Sequence, residues 1–267
     1  MMVSVANRVD QAFARSRAQG RVAVAPYVMV GYPERGSTLE LVPALEEAGA
    51  ALVELGMPFS DPLADGATIQ RASARALAQG VTVGLCLESV AALRARGVGL
   101  PLLLMGYMNP VLQYGPARFC AEAAQAGADG LIVPDLPPEE GAELARSCAE
   151  RGLHLVYLAA PTSSEERLAT IGARSAGFVY CVSIAGVTGA RARLPEQLPS
   201  FLARVRSHTS LPLAVGFGIS SRAHVEALQG QAEAAIVASA LLDVIEQTPA
   251  GQQVQQAARF IAGLVRG

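Results

Sequence analysis

One pattern governs this chain: a short apolar run, a turn and an amphipathic helical stretch recur about eight times from end to end. The apolar runs fall at residues 22–30, 51–55, 102–105, 130–133, 153–159, 177–182, 213–215 and 234–237. Helical spacing marks 39–47, 83–96, 118–126, 140–151, 164–171, 198–207 and 222–228 between them. Several helical stretches end at glycine just before the next run, as at Gly49, Gly97, Gly127 and Gly152, where a left-handed cap turns the chain back. Runs that are apolar on both faces and alternate with helices predict a parallel sheet covered by helices. An open doubly wound sheet and a closed (β/α)8 TIM barrel both satisfy this. Eight units in 267 residues, with no compositional break, favour the barrel as a single domain over 1–267. The spacing in 4–18 adds an extra N-terminal helix. A Rossmann fold needs its glycine fingerprint in the first turn, whereas Gly216-Phe217-Gly218 follows the seventh run.

Composition then removes whole classes of function. The 21 basic and 23 acidic residues leave a net charge of -2, which gives no electrostatic case for nucleic acid. With 51% hydrophobic and only 16% charged residues, the chain is not disordered. Every basic residue is Arg, so a lysine Schiff base and a Walker-type phosphate loop are both excluded. His154, His208 and His224 are far apart and follow no ligand spacing, so no metal site is expected. Cys86, Cys120, Cys148 and Cys181 contain no CxxC and read as four small buried thiols in a reducing cytosol. No apolar run approaches the roughly 18 residues of a membrane span. The N-terminal stretch also lacks a signal peptide's apolar core, so a cytoplasmic protein is expected.

In a barrel, chemistry sits at the C-terminal ends of strands and in the loops that follow. The second apolar run holds a carboxylate, Glu54, which is costly there unless paired or used. Alternation puts Leu52 and Glu54 on one face, pointing into the barrel, and Val53 and Leu55 on the other. Apolar surroundings raise a carboxyl pKa, which suits Glu54 to proton transfer near neutral pH. The loop 57–66 adds Asp61, read as a turn initiator before Pro62, and Asp65, for which helix cap and catalyst are equally matched. Three late loops carry Gly186-Val187-Thr188-Gly189, Gly216-Phe217-Gly218 and Ala238-Ser239-Ala240. Each alone reads as a turn. In this order they suggest a cradle for a substrate phosphate, built from backbone N–H groups and a helix N-terminus.

The run from Glu54 to Gly66, ELGMPFSDPLADG, closely resembles the signature of the tryptophan synthase alpha subunit family. The resemblance extends in register through Ala25-Pro26-Tyr27, Gly31-Tyr32-Pro33, Met105 to Pro110, Gly130 to Glu140, Tyr180 to Gly189 and Val215 to Ser221. It implies a (β/α)8 barrel that splits indole-3-glycerol phosphate into indole and glyceraldehyde 3-phosphate. Glu54 is then the acid/base and Asp65 the carboxylate at the indole nitrogen. Tyr27, Met105, Tyr107, Ile132, Leu158, Tyr180, Thr188 and Phe217 would surround the substrate, and Gly189, Gly218, Ala238 and Ser239 would hold its phosphate.

The family further implies no cofactor in this chain. Pyridoxal phosphate belongs to a beta subunit partner in an αββα heterotetramer, contacted here through Ser60, Asp61, Pro62 and Leu63. Two positions depart from the family. Ala238-Ser239 replaces a usual Gly-Ser, so its methyl is expected to hinder backbone approach or left-handed geometry, and Ile184 replaces a residue that is often Arg. The alternatives are a stand-alone lyase that releases indole, another phosphosugar barrel such as an isomerase, and an inactive barrel serving as a regulatory partner.

Overall fold

β-Branched and leucine-rich runs, too short for helices and bounded by turns, become the strands of one parallel sheet. The computed structural model describes residues 7–182, 194–216 and 218–266. The expectations for Thr188, Gly189, Phe217 and Ile184 therefore lie outside the described residues. The strands are β1 (Ala23–Met29), β2 (Val53–Gly56), β3 (Leu102–Met105), β4 (Gly130–Ile132), β5 (His154–Val156), β6 (Leu158–Ala159), β7 (Val179–Val182), β8 (Leu213–Gly216) and β9 (Ala234–Val237). The early helices are α1 (Arg8–Ala18), α2 (Thr38–Glu47), α3 (Ala67–Ala78), α4 (Val83–Ala95), α5 (Met108–Tyr114) and α6 (Pro116–Ala126). The later ones are α7 (Ala142–Ala149), α8 (Glu165–Arg174), α9 (Leu198–Arg206), α10 (Arg222–Ala227), α11 (Ser239–Gln247) and α12 (Gln253–Arg266). Among the described residues, no single helix is long and apolar enough to cross a membrane.

The sheet runs in the order β5-β4-β3-β2-β1-β9-β8-β7-β6. Its two end strands, β5 and β6, are separated in sequence only by Tyr157, so the sheet closes on itself. They are two halves of the fifth apolar run. One half pairs with β4 and the other with β7, and the Tyr180 N–H donates to the Tyr157 carbonyl at 3.1 Å across the seam. The pleat survives the change of partner: Val156 and Leu158 face the barrel interior, while Leu155, Tyr157 and Ala159 pack outward. Two sheet segments thus build eight barrel staves.

Two packed layers result. Leu52, Leu103, Ile132, Val156, Ala214 and Ile236 belong to the interior cluster, whereas Val53, Leu55, Leu104 and Leu131 pack outward with the helices. Helix α1 closes the N-terminal end of the barrel. Its Val9 and Phe13 join the interior cluster, and the Phe13 ring lies 5.5 Å from that of Phe178. At this end Asp129 is buried. It accepts from Arg94 at 2.6 Å, Arg8 at 3.0 Å and the Leu102 N–H at 2.8 Å. Arg94 also donates to the carbonyls of Gly127, Val98 and Leu100, so one carboxylate with its two arginines pins α1, α4, β3 and the turn into β4.

Candidate active site

The C-terminal end of the barrel gathers the polar residues that strand chemistry does not require. Glu54 on β2 pairs in register with Tyr27 of β1 and Leu103 of β3. It is 0% exposed, and neither carboxyl oxygen has a hydrogen-bond partner among the described residues. Burial pushes its pKa up to about 8, and the nearby Tyr180 hydroxyl, short of hydrogen-bond geometry, offsets part of that rise. A proton held by nothing but the site is available for transfer.

Two buried tyrosines stand by this carboxyl. Desolvation holds the hydroxyls of Tyr27 and Tyr180 well above the ordinary phenol range, and the fields of both Glu54 and Asp65 add to it. Glycine makes room for both rings. A Cβ on Gly56 would fall 2.0 Å from the Tyr27 hydroxyl oxygen, and one on Gly216 would fall 2.9 Å from Cε1 of Tyr180. Gly216, first read only as part of a phosphate loop, is thus needed for seating Tyr180. Gly56 went unnoticed in the sequence. Its signal was present, because it shares the inward face with Glu54, where glycine marks close approach.

Asp65 comes from the loop between β2 and α3. The helix starts after Gly66, and no side chain caps it, so the cap reading of Asp65 is overturned. Burial instead raises the Asp65 pKa to about 6, and Tyr107 partly counters the rise through its hydroxyl. That hydroxyl also accepts the Ala64 N–H at 2.9 Å, and the Tyr107 ring packs on Phe59 at 5.4 Å. Ser73 of α3 clamps the start of the loop, accepting from the Phe59 N–H and donating to its carbonyl, both at 3.0 Å. Phe59 and Ser73 were missed in the sequence, since a serine among helix alanines carries no pattern of its own. The tip, Ser60 to Leu63, reaches outward. Asp61 is bonded by the Ser60 hydroxyl and Leu63 is 94% exposed.

An apolar wall completes the described site. Ile132 is buried within the interior cluster, and Met105, Leu158 and Val182 pack against it from the C-terminal side. Val182 was not anticipated. Beside Leu158 a cleft of about 530 Å³ opens between Pro134, Asp135, Thr162 and Arg167. Gly218 takes φ +71, a left-handed conformation that a glycine adopts freely. Ser239 begins α11, whose first N–H groups are free of intrahelical partners. Ala238 stands at φ -105, so the expectation of left-handed strain at its methyl is corrected. Two further clefts, of about 390 and 380 Å³, flank Arg21 at the opposite end of the barrel and contain none of these residues.

Comparison with known proteins bears on this arrangement. A family model described as tryptophan synthase alpha chain matches residues 13–264. A tryptophan synthase alpha chain of Roseiflexus castenholzii is 59% identical over 261 residues, 98% of this chain and 100% of that one. One from Chloroflexus aggregans is 55% identical over 259 residues, 97% of each. Among solved structures, a tryptophan synthase of Mycobacterium tuberculosis superposes with a TM-score of 0.90 at 36% identity, covering 97% of both chains. An alpha chain from Legionella pneumophila gives 0.89 at 33% identity, covering 97% of this chain and 96% of that one. This chain belongs to the tryptophan synthase alpha chain family.

Proposed function

We propose that this chain is a lyase that cleaves indole-3-glycerol phosphate to indole and glyceraldehyde 3-phosphate, without a Schiff base, a metal or a cofactor of its own. The observation that carries the reading is a pair of carboxyls in unequal surroundings. Glu54 is fully buried with neither oxygen hydrogen-bonded among the described residues, and Asp65 is partly buried beside Tyr107. Burial pushes the first up to about 8 and the second up to about 6. Between those values the pair holds one proton, on Glu54. The cleavage moves a proton from the glycerol hydroxyl beside the ring to indole C3 as the carbon–carbon bond breaks. Glu54 donates to C3 while ionised Asp65 faces the ring N–H and stabilises the positive charge that develops on it. The bond electrons then return to the indole ring as the hydroxyl becomes a carbonyl. Its proton passes to the Glu54 carboxylate, and the site returns to its starting state. Ile132, Leu158 and Met105 supply the apolar surface that an indole ring requires, and the buried hydroxyls of Tyr27 and Tyr180 border the reacting carbon. Gly218, Ala238 and Ser239, together with Gly189, receive the phosphate. Thr188 and Phe217 complete the enclosure.

The chain further works with a beta subunit that takes the indole and carries the pyridoxal phosphate, in an αββα assembly. The reading is supported by the outward tip at Ser60, Asp61, Pro62 and Leu63. A second exposed leucine, Leu112 of α5, lies on the same end of the barrel and is 54% exposed. Among the described residues these two leucines are the exposed large hydrophobic side chains, and a partner docking at this end would cover both. Incubating the purified chain with indole-3-glycerol phosphate and assaying indole tests the activity. Production of indole supports the reading, and none, with or without a cognate beta subunit, contradicts it. Co-elution with that subunit and a rise in kcat are expected for the assembly, and the absence of both would favour a stand-alone lyase.

A further inference from the structure

Cysteine spacing gives no hint of a pair, yet the fold makes one. Cys120 on α6 and Cys148 on α7 place their Sγ atoms 3.7 Å apart, 28 residues distant in sequence. Both are buried, at 0% and 1% exposure, between neighbouring helices on the outside of the barrel. Cys86 and Cys181 are equally buried, but among the described residues neither makes a sulfur–sulfur hydrogen bond, and burial pushes each thiol up to about 12. The four thiols are therefore not equivalent.

We propose that Cys120 and Cys148 form a built-in dithiol that a two-electron oxidant such as a peroxide converts into a disulfide bracing α6 to α7. The sulfurs must approach by about 1.7 Å to reach bonding distance, a move within reach of side-chain rotation and a small helix shift. Their roles differ. At 3.7 Å either thiol can donate to the other. This contact, with the Arg151 guanidinium beside it, outweighs burial and holds the Cys120 thiol below its ordinary range. The same bond and burial hold Cys148 up. Cys120 is the nucleophile and Cys148 the resolving thiol.

With hydrogen peroxide, the Cys120 thiolate attacks one oxygen and the O–O bond breaks. Hydroxide leaves, and Cys120 becomes a sulfenic acid. That hydroxide takes the Cys148 proton as water. The Cys148 sulfur then attacks the Cys120 sulfur, and the S–O bond breaks. The second hydroxide leaves and recovers the proton that Cys120 first gave up. Two thiols and one peroxide yield one disulfide and two waters. Entry is through local opening of α7, which has only eight residues and follows Gly141, a position that supplies no side-chain cap. The closed loop encloses β4, and restricting the unfolded chain in this way raises the melting temperature by about 5–10 °C.

The test uses the full reduced chain, treated with hydrogen peroxide under native conditions, then alkylated with N-ethylmaleimide in denaturant and digested for mass spectrometry. The expected result is alkylation of Cys86 and Cys181 only, a linked peptide pair containing Cys120 and Cys148, reversal by dithiothreitol and a raised melting temperature. Cys148→Ser should leave its three remaining thiols uncross-linked after the same treatment, while Cys86→Ser should still form the link. Should Cys148→Ser fail to fold, Cys120→Ser makes the same comparison. Four alkylated cysteines, a link through Cys86 or Cys181, or a link that leaves the melting temperature unchanged or lower would overturn the proposal.

Discussion

Glu54 was legible because an acid inside an apolar run has few bland explanations, and the fold gives its carboxyl no partner among the described residues. Glu54→Gln keeps the size and removes the proton, so turnover of indole-3-glycerol phosphate should fall by about 10²–10⁴-fold. The same substitution should change stability in a pH-dependent way. A folded-state pKa of about 8, against an ordinary value of 4.5, means the folded chain binds the proton more tightly than the unfolded one. Wild-type stability therefore declines as pH rises between those values and levels off above them. Glu54→Gln escapes that decline and should gain on the wild type by on the order of 3 kcal/mol between pH 4.5 and 7. Parallel denaturation curves of the two proteins at all pH values would contradict the buried carboxyl. Asp65 was not resolvable from its neighbours in sequence, because an acid before Gly66 fits a cap as well as a catalyst. The uncapped start of α3 removes the cap reading, and the tertiary approach of Tyr107 supports the other. At the proposed phosphate cradle, Gly218→Val should raise KM strongly, since φ +71 is strained for a branched residue, whereas Ser239→Ala should raise it modestly. Equal KM values for the two variants would remove the backbone from phosphate binding.

At the scale of elements, period and punctuation did most of the work. The expected glycine caps at Gly49, Gly97, Gly127 and Gly152 all lie at positive φ. The runs at 102–105 and 234–237 match β3 and β9 residue for residue. Helix α5 escaped notice because it has only seven residues with Pro110 inside them, and α11 and α12 because they follow the last apolar run. Asp129 was also missed. An acid at a strand start looks like a turn residue, and its value lies in partners 35 and 121 positions away, Arg94 and Arg8. Asp129→Ala would leave the Arg94 guanidinium half-buried without its carboxylate. Losing one partner of a buried pair costs about 3–5 kcal/mol. Chemical denaturation of the variant should show a loss of that size. A change below about 0.5 kcal/mol, the range of ordinary surface substitutions, would reduce the cluster to surface electrostatics.

For the molecule as a whole, barrel closure sets what the site can be. Because β5 and β6 share one stave, the sheet has no free edge, and each strand delivers its last inward residue to the same end. Tyr27, Glu54, Met105, Ile132, Leu158 and Tyr180 are far apart in sequence and sit on six different strands of one closed ring. The repeat predicted the ring and the alternation within strands predicted which residues face inward. The loop contacts were set by tertiary packing and were hidden from both. The central claim is that a protonated Glu54 and an ionised Asp65 act together, and the pH dependence of kcat/KM for indole-3-glycerol phosphate reads both groups at once. Rising pH should first ionise Asp65 and then strip Glu54, giving a bell with limbs near pH 6 and pH 8. A rate that stays flat from about pH 5 to pH 9, or that keeps climbing through pH 8, would contradict it.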